Sequence, residues 1–260
     1  SFKPDIVLAG VGGGGLLSGL IKNLTETDII GVEPKGAASM YQSLKQNKLV
    51  KLENVDSFVD GASVSLVGKL TFEISKKSHQ ILKVSNGNLS SNMIELYQNE
   101  GIICEPAGAL SVTGLSLLDK DYLEDKKIVC IISGGNNDIL RYPEIIENSL
   151  RYQNLKHYYI IKFQQKPGQL KKYVKKILPD SSDITRFEYI KKNNRYDGTV
   201  LIGIEVTNPL DNQKIKNNMS KYNFNFIEIS EQDLLYNYLI WLKSKTENKQ
   251  FTNKKNEINY

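Results

Sequence analysis

The chain has 260 residues, 40% of them hydrophobic and 24% charged, which is typical of a globular protein and long enough for two domains. Its formal charge is +5, but residues 241–260 alone hold five lysines against two glutamates, so we expect no nucleic-acid partner. No apolar run approaches the length of a membrane span and no charged-then-apolar leader opens the chain, so we expect neither a membrane location nor secretion.

The sequence contains few residues suited to metal or redox chemistry. The two cysteines, Cys104 and Cys130, each lie in an apolar segment, and we expect buried free thiols in a reducing cytoplasm. The two histidines, His79 and His157, are far apart in sequence, which argues against a histidine-rich metal site or a histidine-based triad. We therefore predict no metal.

A glycine run near the start joins a predicted strand to a predicted helix. Residues 6–9 form a short apolar strand, and apolar side chains at helical spacing follow the run, from Leu16 to Leu24. Four consecutive glycines allow a ligand to approach bare backbone N–H groups at the positive end of a helix. We therefore predict a phosphate-binding loop at Gly12, Gly13, Gly14 and Gly15.

The first half of the chain alternates between predicted strands and helices. Strands are predicted at residues 28–33, 80–84 and 127–132, and helices at residues 36–44, 70–75 and 89–99, the last capped by Asn88 or Ser90; a further helix opens at Glu105-Pro106. This alternation predicts an α/β fold with a parallel sheet and helices on both faces. Ligands bind such sheets at the carboxyl ends of the strands, where the glycine run and a second loop at residues 133–137 lie.

The second half has a different pattern. Strands are predicted at residues 157–163, 183–191, 198–206 and 224–229, and helices at residues 211–222 and 231–242 and after Lys166-Pro167-Gly168, where Leu170, Val174 and Ile177 share a face. The order βαββαβ predicts an α+β, ferredoxin-like module for binding or regulation. We expect domains at residues 1–150 and 155–240 and a disordered tail at residues 243–260.

The glycine run is compatible with two different ligands. Gly10, Gly12 and Gly15 satisfy the dinucleotide-binding pattern, and Glu33 ends the next strand as a ribose-binding acid would. A nicotinamide-dependent oxidoreductase is therefore one alternative. The unbroken glycines favour a single terminal phosphate instead, because dinucleotide loops keep side chains between their glycines.

The chain resembles pyridoxal-phosphate enzymes of the tryptophan-synthase-β fold type, and within them the biosynthetic threonine dehydratases. The resemblance covers about residues 4–240, and its motifs occur in the family's order. They are the segments 12–16 (GGGGL), 32–34 (VEP), 59–62 (VDGA), 105–110 (EPAGAL) and 133–136 (SGGN), followed in the second half by 166–170 (KPGQL), 183–189 (DITRFEY) and 201–205 (LIGIE). The resemblance implies a partial fold-type II enzyme followed by an ACT-like regulatory domain.

The resemblance also implies a cofactor, the residues that bind it, and the partners of the protein. Backbone N–H groups of Gly12 to Leu16 would hold the phosphate of pyridoxal 5'-phosphate, and the Ser133 hydroxyl would face its pyridine nitrogen. The activity implied is conversion of L-threonine to 2-oxobutanoate and ammonia in isoleucine biosynthesis. A branched-chain amino acid, expected to be isoleucine, would regulate a cytoplasmic homo-oligomer, expected to be a homotetramer. Arg186 and Tyr189 lie where an effector or an interface could contact them.

Two departures from the family pattern matter: the segment with the Schiff-base lysine is missing, and the helix between Gly15 and Ile29 is about one turn shorter than in typical relatives. The family's Schiff-base lysine lies in a Ser-x-Lys-x-Arg-Gly-like motif upstream of the glycine loop, and no such motif occurs here; Lys3 is rejected because a strand begins directly after it. We therefore expect no catalytic residue in this chain, which we interpret as a C-terminal portion that is inactive alone. Related serine racemases hold a cation through the acid equivalent to Glu33, but the partner acid falls at Ser39.

Other interpretations remain open at this point. Glu105 precedes a helix, and pairing with the helix dipole is a simpler role for it than catalysis. A non-enzymatic amino-acid sensor would use the second half alone. A catabolic or serine-specific relative would usually lack the regulatory domain that residues 155–240 predict.

Overall fold

A computed structural model describes residues 2–189 and 197–230. The chain divides into two compact units, residues 1–139 and 140–260. Within the described residues, the helices are too short or too polar to cross a lipid bilayer. The strands are β1 Ile6–Gly10, β2 Asp28–Pro34, β3 Gln80–Val84, β4 Ile128–Cys130, β5 Lys156–Gln164, β6 Ser182–Tyr189, β7 Asp197–Val206 and β8 Asn225–Glu228. The α-helices are α1 Gly15–Asn23, α2 Ser39–Lys45, α3 Lys69–Ser75, α4 Asn86–Glu100, α5 Pro106–Leu115, α6 Lys120–Leu123, α7 Tyr142–Tyr152, α8 Gln169–Lys176 and α9 Asp211–Lys221.

The first unit is built on a parallel sheet with the strand order β3-β2-β1-β4. Strand β1 lies in the middle, with Ile6 level with Asp28 on β2 and with Ile128 on β4. Helices α1, α2 and α3 pack on one face, and α5 packs on the other, where Gly114 lies against Val32. The predicted α/β architecture with helices on both faces is confirmed.

The second unit has an antiparallel sheet with the strand order β6-β7-β5-β8. The described elements from β5 to β8 follow the order βαββαβ, which confirms the ferredoxin-like prediction. Alternate residues of β7 from Val200 to Val206 are buried in a core with Tyr159 and Ile161, as the alternation of the sequence predicts. The helix predicted at 231–242 and the tail at 243–260 lie outside the described residues, and the predicted domain boundaries stay predictions.

Three local predictions were wrong, and one helix was missed. The helix expected at residues 36–44 is a 3-10 turn, Lys35–Ala37, followed by α2 from Ser39. Helix α4 begins three residues earlier than residue 89, and its cap is Ser85, whose hydroxyl accepts the N–H of Asn88. Strand β4 ends at Cys130, two residues early. Helix α7 was not predicted, although its apolar residues Tyr142, Ile145, Ile146 and Leu150 recur at helical spacing.

The buried face of α8 also differs from the prediction. Leu170 is 45% exposed and Val174 is 44% exposed, whereas Tyr173 and Ile177 are fully buried. The ring of Tyr173 packs edge-on against Phe163, with ring centroids 5.4 Å apart. The large aromatic ring therefore sets which side of this short helix faces the sheet.

Candidate functional site

The glycine loop lies at the carboxyl edge of the parallel sheet, between β1 and α1. Val11 N–H donates to Val32 O at 2.9 Å, and Ser18 N–H donates to Gly14 O at 2.9 Å. Within the described part of the chain, the N–H groups of residues 12–16 donate to no protein oxygen, and the first turn of α1 contains no acidic side chain. The loop therefore presents unpaired donors at a helix N-terminus, the arrangement that binds an anion.

The loop needs glycine for two different reasons. Gly14 has φ +88°, a backbone conformation that residues with a side chain rarely adopt. A Cβ added there would also lie 2.6 Å from the Met40 Cε methyl, so Met40 would have to move. At Gly13 and Gly15, an added Cβ would meet nothing within 4 Å. The open space over Gly13 and Gly15 is where a ligand phosphate fits, so the residues present suit the phosphate group of a cofactor.

The other shared motifs meet this loop through close backbone contacts. A Cβ added to Gly12 would lie 3.2 Å from Gly61 O, and one added to Gly61 would lie 2.9 Å from Ala107 Cβ. The next residue of α5 after Ala107, Gly108, lies directly against the backbone of Gly134. Four segments that are distant in sequence are thus brought together at one edge of the sheet.

Ser133 follows β4, the strand next to β1. It is exposed, and its neighbour Gly134 accepts the N–H of Glu105 at 3.2 Å. The Glu105 carboxylate lies beside Gly134 and makes no cap hydrogen bond to the helix that it precedes. The structure therefore brings the Ser133 loop to the same sheet edge as the glycine loop.

Two supporting residues were missed at the level of sequence. Thr71 on α3 donates its hydroxyl to Gly13 O at 2.7 Å, and its own carbonyl accepts the Ser18 hydroxyl at 3.2 Å. Met40 on α2 supplies the methyl group against Gly14. A threonine or methionine inside an amphipathic helix gives no sequence signal for such a role.

Glu33 lies one residue before the end of β2 and is fully buried. Its two carboxylate oxygens accept the backbone N–H groups of Met40 at 2.8 Å and Tyr41 at 2.7 Å, so it caps α2 from outside the helix. Burial raises the pKa of Glu33 to about 7, against the opposing effects of these two N–H groups and of Lys83. Among the described residues, no group of three or more His, Cys, Asp or Glu side chains is placed to hold a metal ion.

The second unit contains a cavity of about 250 Å³ between α8 and the sheet. Its apolar lining includes Leu170, Phe187 and Tyr189, and Lys166 lies at its wall. Arg186, in contrast, is paired with Glu188 at 2.6 Å. Of the two residues proposed to lie near an effector, Tyr189 is therefore the one that lines the cavity.

A separate polar cluster surrounds Glu228 on β8. Its carboxylate accepts from His157 Nδ1 at 3.1 Å, Asn212 Nδ2 at 3.2 Å and Lys216 Nζ at 3.0 Å. The hydrogen bond from His157 is the largest influence, and with Lys216 and Asn212 it lowers the pKa of Glu228 to about 2 in spite of partial burial.

Comparison with known proteins identifies both units. Residues 1–134 match the family model described as pyridoxal-phosphate dependent enzyme, so the chain belongs to that family. Residues 147–239 match the model described as the C-terminal regulatory domain of threonine dehydratase. The family match identifies the cofactor as pyridoxal phosphate and not a dinucleotide. The unbroken glycine run favours the same choice.

Individual relatives agree with these matches. The chain is 46% identical over 242 residues to the biosynthetic L-threonine dehydratase IlvA of Staphylococcus epidermidis, covering 91% of this chain and 57% of that protein. The corresponding Staphylococcus aureus protein is also 46% identical, with the same coverage. A solved structure of the processed form of threonine deaminase isoform 2 from Solanum lycopersicum aligns with a TM-score of 0.54 at 35% identity, over 57% of this chain and 45% of that one. The chain thus spans little more than half the length of the curated relatives that it matches.

Proposed function

We propose that this chain is the cofactor-holding and regulatory part of a threonine dehydratase that converts L-threonine to 2-oxobutanoate and ammonia. The observation that carries the proposal is the glycine loop, with its unpaired N–H groups at the start of α1 and open space over Gly13 and Gly15. The motif order and the relatives named above support the choice of substrate. The lysine that binds the cofactor would come from a segment outside these 260 residues.

In this proposal the residues of the chain bind and orient the cofactor. The N–H groups of Gly12 to Leu16 hold its phosphate, and the α1 dipole stabilises the negative charge. When bound, pyridoxal phosphate would supply an electron sink for the substrate carbon next to its amino group. Ser133 would offer the pyridine nitrogen a hydroxyl rather than a carboxylate, so that nitrogen would not be forced to carry a proton.

The phosphate site can be tested by adding a charge where there is space. Gly13→Asp introduces a carboxylate without a steric clash, because an added Cβ meets nothing within 4 Å, and we expect at least about a hundredfold loss of pyridoxal phosphate affinity from charge repulsion. Gly13→Asn controls for the side chain, and Gly19→Asp controls for the charge because Gly19 is equally open. Unchanged affinity of Gly13→Asp in equilibrium dialysis would refute the phosphate site.

The activity needs the complete protein. We expect the upstream coding sequence to contain a lysine in a Ser-x-Lys-x-Arg-Gly-like context, and the full-length product to form 2-oxobutanoate from threonine. In that protein, Ser133→Ala should lower turnover and leave phosphate binding intact. An upstream sequence without such a lysine, or a product that transfers hydride to a nicotinamide, would exclude the dehydratase.

The second unit is proposed to bind a branched-chain amino acid, with isoleucine as the expected effector. The cavity beside α8 supports this, because its apolar lining suits an aliphatic side chain and Lys166 suits a carboxylate. Leu170→Lys should abolish isoleucine binding in calorimetry. Val174→Lys is the matched control, since Val174 has the same exposure on the same helix but does not line the cavity.

The assembly and location follow from the same proposal. We expect a homo-oligomer, and specifically a homotetramer, which sedimentation of the full-length protein would test. A cytoplasmic location is supported by the two free thiols, Cys104 and Cys130, in the described residues.

A further inference from the structure

Glu33 connects the parallel sheet to α2 and uses both carboxylate oxygens to do so. The two acceptors that it offers are directed at the N–H groups of Met40 and Tyr41, at 2.8 and 2.7 Å. These donors lie in the first turn of α2, where no residue of the helix can accept them. The position of the start of α2 therefore depends on this one buried side chain.

Helix α2 in turn contacts the glycine loop. The side chain of Met40, whose N–H is bound by Glu33, places its Cε where a Cβ on Gly14 would lie only 2.6 Å away. Gly14 is the residue of the loop with positive φ, and it precedes the first residue of α1. A continuous path of contacts therefore runs from the Glu33 carboxylate through Met40 to the phosphate-binding loop.

We propose that Glu33 is a positioning residue for the glycine loop, and that adding a proton to its carboxylate loosens the loop through Met40. The chemistry is a simple protonation: the carboxylate takes one proton from solvent and becomes a neutral acid. An ionised carboxylate accepts hydrogen bonds with both oxygens, whereas a protonated one has a hydroxyl that accepts poorly. One of the two N–H groups then loses a good acceptor, and the start of α2 shifts away from Gly14.

Few charged groups in the described part of the chain lie near Glu33. Lys83 is its cross-strand neighbour on β3 and is the charged group that acts on it among the described residues. The ammonium of Lys83 also lies 3.8 Å from the centroid of the Tyr41 ring, which α2 places beside it. The residues of β1 and of α5 contain no titratable side chain. Burial raises the pKa of Glu33 to about 7, so the protonation falls in the neutral range.

The coupling can be measured on the full chain without cofactor. We would record the amide NMR signals of Met40, Tyr41, Gly13 and Gly14 between pH 5.5 and 8.5. We expect all four to shift with one common midpoint near pH 7. Glu33→Gln should abolish the shift in all four, and Lys83→Gln should raise the midpoint. His79→Gln is the control for a polar substitution elsewhere in the same unit and should change nothing.

Met40 separates a coupled loop from an independent one. In Met40→Ala, residues 40 and 41 should still titrate, because Glu33 still binds their N–H groups, whereas Gly13 and Gly14 should lose their shift. Glycine signals that do not move in the unmodified chain, or that titrate unchanged in Glu33→Gln or Met40→Ala, would overturn the inference.

The consequence for the cofactor rests on the proposed function. If Glu33 positions the phosphate site, the unmodified chain should bind sulfate more weakly at pH values below the midpoint of the Glu33 titration than above it. Sulfate is a dianion throughout this pH range, so its own charge does not change. In Met40→Ala the sulfate affinity should be the same on both sides of the midpoint. Coupled glycine signals in a chain that binds neither sulfate nor pyridoxal phosphate would refute the proposed function and leave the role of Glu33 standing.

Discussion

Glu33 and Glu228 are both tied into hydrogen-bond networks, yet their carboxyl groups shift in opposite directions. The pKa of Glu33 is raised to about 7, and that of Glu228 is lowered to about 2. Glu33 is fully buried and its direct donors are two neutral backbone groups, whereas the side chain of Glu228 keeps 33% exposure and receives hydrogen bonds from His157 and Lys216. The two backbone donors of Glu33 therefore do not compensate the loss of water around its carboxylate, while the side-chain donors of Glu228, among them the ammonium of Lys216, do so together with residual solvent.

The two carboxyl groups should give the two units opposite responses to pH. A raised pKa means that the folded state binds more protons, so the stability from Glu33 is present below pH 4.5 and is lost as the pH rises through about 7. A lowered pKa means the reverse, so the stability from Glu228 is present above pH 4.5 and is lost as the pH falls towards 2.

The largest expected effect is the pH dependence that Glu33 causes. Between pH 4.5 and pH 8, it should lower the unfolding free energy of the first unit by about 3 kcal/mol, and Glu33→Gln should remove that slope. Hydrogen exchange of the β1 and β2 amides at several pH values would measure this for the first unit alone. A slope that is the same in Glu33→Gln would mean that other groups cause it.

Breaking the cluster around Glu228 should have a smaller effect of the opposite sign. Glu228→Gln should cost the second unit about 1–2 kcal/mol at pH 7, a figure reduced for solvent screening, because His157 and Lys216 lose their anionic acceptor. The difference from the unmodified chain should become much smaller near pH 2, where Glu228 is itself half protonated. Urea unfolding followed through the β7 amides would test both statements, and an equal loss at both pH values would contradict them.

The donors of Glu228 can be compared with each other. Because the hydrogen bond from His157 is the largest influence on the pKa of Glu228 and the charge of Lys216 is a smaller one, His157→Phe, which removes that donor, should raise this pKa further than Lys216→Gln, which removes the charge and keeps an amide donor. Carboxyl carbon NMR of Glu228 would give both midpoints. An equal rise in the two variants would show that charge matters more than the hydrogen bond.

The smallest expected effect concerns Lys83. It opposes burial of Glu33 from an exposed position, so Lys83→Met should raise the pKa of Glu33 by only about 0.3 unit. A rise of more than about one unit would show that Lys83 is a far stronger partner of Glu33 than its exposure suggests.

Much of the architecture could be predicted because the local patterns are strong. The apolar strand before the glycine run, the second glycine-rich loop and the alternation on β7 each depend on neighbours in sequence. Their predicted positions agree with β1, the loop after β4, and β7. The order of elements was then enough to predict both sheets.

What could not be predicted depends on particular side-chain contacts that hydrophobic periodicity does not encode. Helix α2 starts at Ser39 rather than at residue 36 because Glu33 accepts the N–H groups of Met40 and Tyr41. The face of α8 is set by how Tyr173 packs on Phe163. The members of these pairs are close in sequence, but hydrophobic periodicity records neither a carboxylate that binds backbone N–H groups nor which aromatic rings pack together, so periodicity alone places these elements wrongly.

The surroundings of the glycines also predict which positions of the site tolerate a side chain. Gly14 and Gly108 are held by packing, so substitutions there should be rejected by any selection that requires only a folded protein. Gly13 and Gly15 face open space, so substitutions there should survive a folding screen and fail only when ligand binding is selected. A library scored under both selections would therefore outline the bound anion residue by residue, without a crystal of the complex.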